Sequence, residues 1–157
     1  MYDAKAEEHV AQERRQSMAT VDMERVLEEW ATAWSSHDTE KLLALFTDDC
    51  VYEDVTFGVV NRGREALRAF ADGVFAGVPD FQIEMTARFV AGNWAAMEWV
   101  MSGTHQGDMP GMPATGKRFS AIRGATICEL QGGKIQRCSD YWDAATFMKQ
   151  VGLLPAQ

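Results

Sequence analysis

The chain has 157 residues, 46% of them hydrophobic and 24% charged, the size and balance of one domain rather than two independent cores. Lys and Arg number 15 against 23 Asp and Glu, a net charge of -8, which excludes the basic footprint of a nucleic-acid binder. No run approaches the ~18 consecutive apolar residues of a membrane span, and the polar opening MYDAKAEEHVAQERRQ lacks a signal-peptide centre. The expectation is a cytoplasmic protein with neither a membrane nor a nucleic-acid partner.

Residues 1–17 are charged and lack a sustained apolar face, so they read as a flexible or loosely helical arm, with 18–157 as a single domain. Val21, Val26, Leu27, Trp30, Ala31 and Trp34 then recur at spacings of three and four, a helix ending near Ser35-Ser36-His37. Asp38 suits the N-cap of a second helix carrying Leu42, Leu43, Leu45 and Phe46. Cys50 to Val55 has strand composition, and Gly58 to Gly63 reads as a loop. Arg64 to Phe75 forms a third helix with Leu67, Phe70, Ala71, Val74 and Phe75 inward, stopped by Gly77 and Pro79.

From Phe81 onward the pattern is strands, over 81–91, 94–105, 117–130 and 134–143, divided by Gly92-Asn93, the loop Gly107–Gly116 and Gly132-Gly133. A last helix, Ala144–Val151, precedes Pro155. The order predicts an α+β domain, three N-terminal helices packed on the concave face of a curved antiparallel sheet.

Cys50, Cys128 and Cys138 all lie in strand-like runs and read as reduced core thiols. There is no CxxC and no HExxH, and His9, His37 and His105 are scattered, so no metal site is expected. No GxGxxG follows a strand, and the nearest approach to a phosphate loop, Gly111 to Lys117, continues into Arg118. No cofactor is expected.

Strand alternation names the candidate pocket residues. Met97, Trp99, Met101 and His105 share one face of their strand, an apolar wall with a polar group at its end. On the last strand, Asp140 sits between Cys138 and Trp142 on one face, where burial would raise its pKa toward neutrality. Tyr52 and Asp54 share a face of the first strand and can meet Asp140 across the cavity; Trp30 and Phe70 face it from the helices. Two carboxyls, a phenol and a histidine beside an aromatic and Met-rich wall suit acid–base chemistry on an apolar, oxygen-bearing, polycyclic-sized molecule. The loop Asp108–Pro113 has the Met and Gly content of a lid.

The runs GTHQGDMPGMPATGKRF over 103–119 and GKIQRCSDYWD over 133–143, with FTDDCVY over 46–52 and GREALRAF over 63–70, resemble the SnoaL-like polyketide cyclases. These are members of the nuclear transport factor 2-like superfamily, with ketosteroid isomerases and limonene-epoxide hydrolases. The resemblance implies a cone-shaped, cofactor-free domain that forms a homodimer through its outer sheet face. It implies that Asp140 is the acid/base of an intramolecular aldol closure and that Asp54, where relatives usually have Asn, lines the pocket. Where the related cyclases carry a histidine on the penultimate strand, this chain has Ala125 or Thr126. Where the epoxide hydrolases carry an Arg-x-Asp pair, it has Trp99 and Met101.

Three functions follow as expectations. The first is a cofactor-independent cyclase or isomerase with Asp140 moving a proton next to a carbonyl, and Asp54, Tyr52 or His105 stabilising the enolate. The second is an epoxide hydrolase whose Asp140, Tyr52 and Asp54 hold a water. The third is a non-catalytic domain that binds an apolar ligand.

Overall fold

A computed structural model describes residues 4–155. Ten elements follow in order: α1 (Ala4–Ser35), α2 (Thr39–Ala44), β1 (Phe46–Asp54), β2 (Val59–Arg62), α3 (Gly63–Gly77), β3 (Gln82–Ala91), β4 (Trp94–Thr104), β5 (Arg118–Gln131), β6 (Lys134–Trp142) and α4 (Ala144–Gln150).

The six strands form one open sheet in the order β2-β1-β6-β5-β4-β3. The meander β3-β4-β5-β6 is antiparallel, as the two-residue turns Gly92-Asn93 and Gly132-Gly133 predict for β3–β4 and β5–β6; residues 105–117 join β4 to β5. The expected all-antiparallel sheet is corrected at one seam: β1 lies parallel to β6. A parallel neighbour needs a long crossover, here the chain from α3 through β5, and no local signal announces it. The stretch read as a loop before Gly63 contains β2, which pairs antiparallel with β1 at the sheet edge.

In α1, Met23, Val26, Leu27, Trp30, Ala33 and Trp34 are buried, one stripe at helical spacing. Val21 falls outside that stripe and is 61% exposed. The helix has 32 residues, about 48 Å at 1.5 Å per residue, and Ala4 to Ala19 are exposed. Residues 1–3, part of the predicted arm, lie outside the described residues.

Asp38 caps α2 by accepting a hydrogen bond from Lys41 N at 3.0 Å, as the residue type predicts. The helix stops before Phe46, which opens β1 fully buried. No described helix is long and apolar enough to cross a membrane.

The helices cover one side of the sheet. Trp30, Trp34, Leu67 and Ala71 face Tyr52, Met97, Trp99 and Ile122 in one apolar core. Between the α1 tryptophans and the sheet the packing is incomplete, and a cavity remains there.

Candidate active site

The cavity lies among Trp30 and Trp34 of α1, Phe70 of α3, Trp99 and Met101 of β4, and Asp140 and Trp142 of β6. The space inside it open to a water-sized sphere is about 90 Å³, room for a few waters or a small apolar group. Tyr52 and Asp54 join the lining from β1, and Met109 from the loop after β4.

Sheet register builds the polar end. Asp54 pairs with Asp140, Asp140 with Thr126, and Thr126 with Met97, one row across β1, β6, β5 and β4. Asp140 is 7% exposed and Tyr52 1%. The Tyr52 hydroxyl donates to Asp140 Oδ2. The Thr126 hydroxyl donates to Oδ1 at 2.6 Å and accepts from Trp99 Nε1 at 2.8 Å. Trp99 reaches Thr126 because its ring lies over Gly124, where a Cβ would stand 2.3 Å from the indole. A residue larger than glycine on this part of β5 would displace the ring.

Burial pushes the Asp140 carboxyl from 3.8 up to about 7, with the hydrogen bonds from Thr126 and Tyr52 pulling it back and the Asp54 charge adding to the rise. Asp140 is therefore both acid and base near neutral pH. Burial also drives the Tyr52 phenol well above its usual range, reinforced by Asp140, so Tyr52 stays a donor. Asp54 is raised by burial and pulled back by its bonds from Phe57 N and Trp142 Nε1. Its carboxylate oxygens stand 3.2 and 3.1 Å from that indole nitrogen, so Asp54 fixes the Trp142 ring.

Of the residues singled out from the sequence, Asp140, Tyr52, Asp54, Trp99, Met101 and Trp142 from the strands and Trp30 and Phe70 from the helices meet around this cavity. Two do not line it. His105 is fully buried and lies past the end of β4, its ring 6.3 Å from that of Phe147 and its Nδ1 3.3 Å from the Thr115 hydroxyl. His105 follows the last residue of β4, and the chain there sets its ring near Phe147 of α4 instead of in the cavity lining. Met97 is likewise buried, but it sits one pleat beyond Trp99, beside Thr126 and outside the lining. Conversely, Trp34 and Thr126 were not singled out as site residues. Trp34 was legible as a core position of α1, but nothing distinguished a wall from a core. Among the described residues no group of His, Cys, Asp and Glu could hold a metal ion.

This α+β architecture, helices on one side of an open mixed sheet, is consistent with a ketosteroid isomerase-like fold. The profile of the SnoaL-like polyketide cyclases matches residues 24–151. The chain belongs to that family.

A protein of ketosteroid isomerase-like fold from Catenulispora acidiphila, solved in complex with trimethylamine, is 25% identical; the match covers 83% of this chain and 93% of that one at a TM-score of 0.73. IdmH from Streptomyces antibioticus, described as a proposed polyketide cyclase, is 24% identical over 83% of this chain and 98% of its own, with a TM-score of 0.71. AclR from Streptomyces galilaeus, described as a proposed hydroxylase, is 20% identical over 87% and 85%, with a TM-score of 0.75. No curated protein matches the chain significantly.

Proposed function

We propose that this protein is a cyclase or isomerase in which Asp140 moves a proton next to a carbonyl of an apolar substrate. The observation that carries this reading is a carboxyl of pKa about 7, buried at the end of an aromatic cavity and held on both oxygens by Tyr52 and Thr126.

The ionised carboxylate takes a proton from the carbon beside the carbonyl, and the C–H electron pair moves onto the carbonyl oxygen as an enolate. In an isomerisation, the Asp140 acid returns the proton to another carbon of the conjugated system. In a ring closure, the enolate carbon bonds to a second carbonyl carbon of the same molecule, and the resulting alkoxide takes the proton. Either sequence restores Asp140. Tyr52 and Thr126 spread the carboxylate charge without surrendering their own protons. Epoxide hydrolysis would require Asp140, Tyr52 and Asp54 to hold a water together, whereas here the Tyr52 hydroxyl donates to Asp140 and the Asp54 carboxylate accepts from Trp142 Nε1.

Two further proposals accompany this reading. Two copies pair through the outer sheet face, where Phe89, Ile127 and Tyr141 are exposed. The protein is cytoplasmic, which three unpaired, buried cysteine thiols support.

Incorporation of deuterium beside the carbonyl of 1-tetralone in D2O, followed by NMR, tests the chemistry without knowledge of the natural substrate. The wild type should accelerate exchange, and Asp140→Asn should remove about 10²–10⁴-fold of that acceleration. Exchange at the buffer rate, or equal exchange by the two proteins, would overturn the reading.

A further inference from the structure

The cavity as it stands holds less than one ring. About 90 Å³ is open inside it, whereas an apolar void of ~150 Å³ is what takes up a single benzene. A ring-sized ligand enters only if part of the wall moves. Among the lining residues, Phe57, Phe70, Val74, Met109 and Trp142 alone keep partial exposure, and so they ring the mouth.

Four of these five are held in place. Phe70 and Val74 stand on α3; the Phe70 ring packs on Trp34 and Tyr52 at 6.3 and 5.5 Å, and Val74 is short and β-branched, hence stiff. Trp142 is fixed by Asp54 through its indole nitrogen and by Thr56, whose hydroxyl accepts from Trp142 N at 2.8 Å. Phe57 packs edge-on against the Trp142 ring at 4.7 Å, and its backbone N–H donates to Asp54 at 2.9 Å.

Met109 differs from them. It belongs to the 105–117 connection, on a small hairpin in which Met109 N donates to Met112 O at 2.9 Å and Met112 N to Met109 O at 2.8 Å. The base of this loop is anchored: Gln106 N and Gly107 N both donate to Gly77 O at 3.0 Å, and Gly116 N donates to His105 O at 2.8 Å. The hairpin stands off the body, with Asp108, Pro110, Gly111 and Pro113 exposed. From it the Met109 side chain reaches inward over Gly77, the last residue of α3, where a Cβ would stand 2.7 Å from Met109 Cγ. Glycine at 77 is therefore the socket that lets this side chain into the cavity wall. An unbranched thioether with three rotatable bonds leaves such a socket without lifting a helix or breaking a hydrogen bond.

We infer that Met109 is the gate of the cavity and sets the size of apolar ligand it admits: the side chain fills space that a ring-sized molecule needs and swings out of the mouth as that molecule enters. This rests on the proposed reading in taking the cavity as the ligand site, and it adds which residue decides what that site accepts. Because the closed form leaves too little room, the apparent affinity of a large ligand is reduced by the fraction of chains whose gate is open. The anchored loop base keeps the movement local, away from the row of residues that holds Asp140.

The test is calorimetric titration of 1-tetralone into wild type, Met109→Ala and Met112→Ala. Met112 shares the hairpin and packs on the core but does not line the cavity, so its variant reports any general loosening of the loop. Met109→Ala should bind the ketone about 3- to 10-fold more tightly than wild type, the reach of a partly buried methionine's packing, and Met112→Ala should match wild type. Binding by Met109→Ala that is no tighter than wild type, with no binding by either included, overturns the inference, as does equal tightening in Met112→Ala. Binding needs no proton transfer, so Met109→Ala combined with Asp140→Asn should keep the tighter binding while losing deuterium exchange, and failure of the acid–base reading registers separately.

Discussion

Replacing Asp140 by Asn should stabilise the protein at alkaline pH while removing its proton-transfer group. Burial raises the carboxyl from 3.8 to about 7, so between those values the native chain keeps a proton that the unfolded chain has released. This is the reverse of the usual depressed carboxylate. Asp140 costs nothing below about pH 4, erodes stability as pH rises toward 7, and imposes a constant penalty above that. An interval of about three pH units, at 1.36 kcal/mol each, makes the penalty roughly 4 kcal/mol. Asparagine matches the protonated acid in size and cannot ionise. Its amide satisfies Tyr52 and Thr126 less well, at a cost of about 1 kcal/mol. The variant should thus be about 3 kcal/mol more stable than wild type at pH 8, and about 1 kcal/mol less stable at pH 4. At 2–4 °C per kcal/mol for a chain of this length, the melting temperature at pH 8 should rise by about 6–12 °C. Calorimetric melts from pH 4 to 9 measure the difference directly, with every other titrating group common to both proteins. A difference that does not vary with pH would refute the argument that desolvation governs Asp140.

Tyr52→Phe and Thr126→Val each remove a donor that holds Asp140 down, so the rising limb of the deuterium-exchange rate should move above pH 7, and Thr126→Ser should restore it. A limb that stays in place would detach these residues from Asp140. For the proposed pairing of two copies, Ile127→Glu adds a charge to the middle of the exposed apolar face and should convert a dimer to a monomer in sedimentation equilibrium; a wild type that sediments as a monomer would refute it.

The strand order shows where sequence reading stops. The β3–β4 and β5–β6 hairpins are each announced by a two-residue turn, because residues that are close in sequence can select it without help from the rest of the chain. The insertion of β1 between β2 and β6 depends on contacts separated by more than 80 residues, such as Asp54 with Asp140, and composition carries no record of them. The same limit applies to His105. Alternation along β4 breaks between Met101 and Gly103, and His105 lies past the strand end beside Phe147 of α4, a position set by the loop rather than by the strand pattern.

Alternation and burial alone determined that Asp140, Tyr52, Asp54 and Trp99 are inward-facing, because a period of two admits only two faces and one of them is apolar. Only the tertiary structure decided which groups touch. Counting back from the Gly132-Gly133 turn sets Asp140 opposite Ala125, but an irregularity between Glu129 and Leu130 shifts the pairing by one, to Thr126. That shift brings a hydroxyl, and not a methyl group, against the carboxylate. It arises from backbone geometry that the alternating pattern does not encode. The unpartnered indole nitrogens of Trp30 and Trp34 are likewise a property of packing: their stripe is written in α1, but whether a donor finds a partner depends on what every other element brings to the same space.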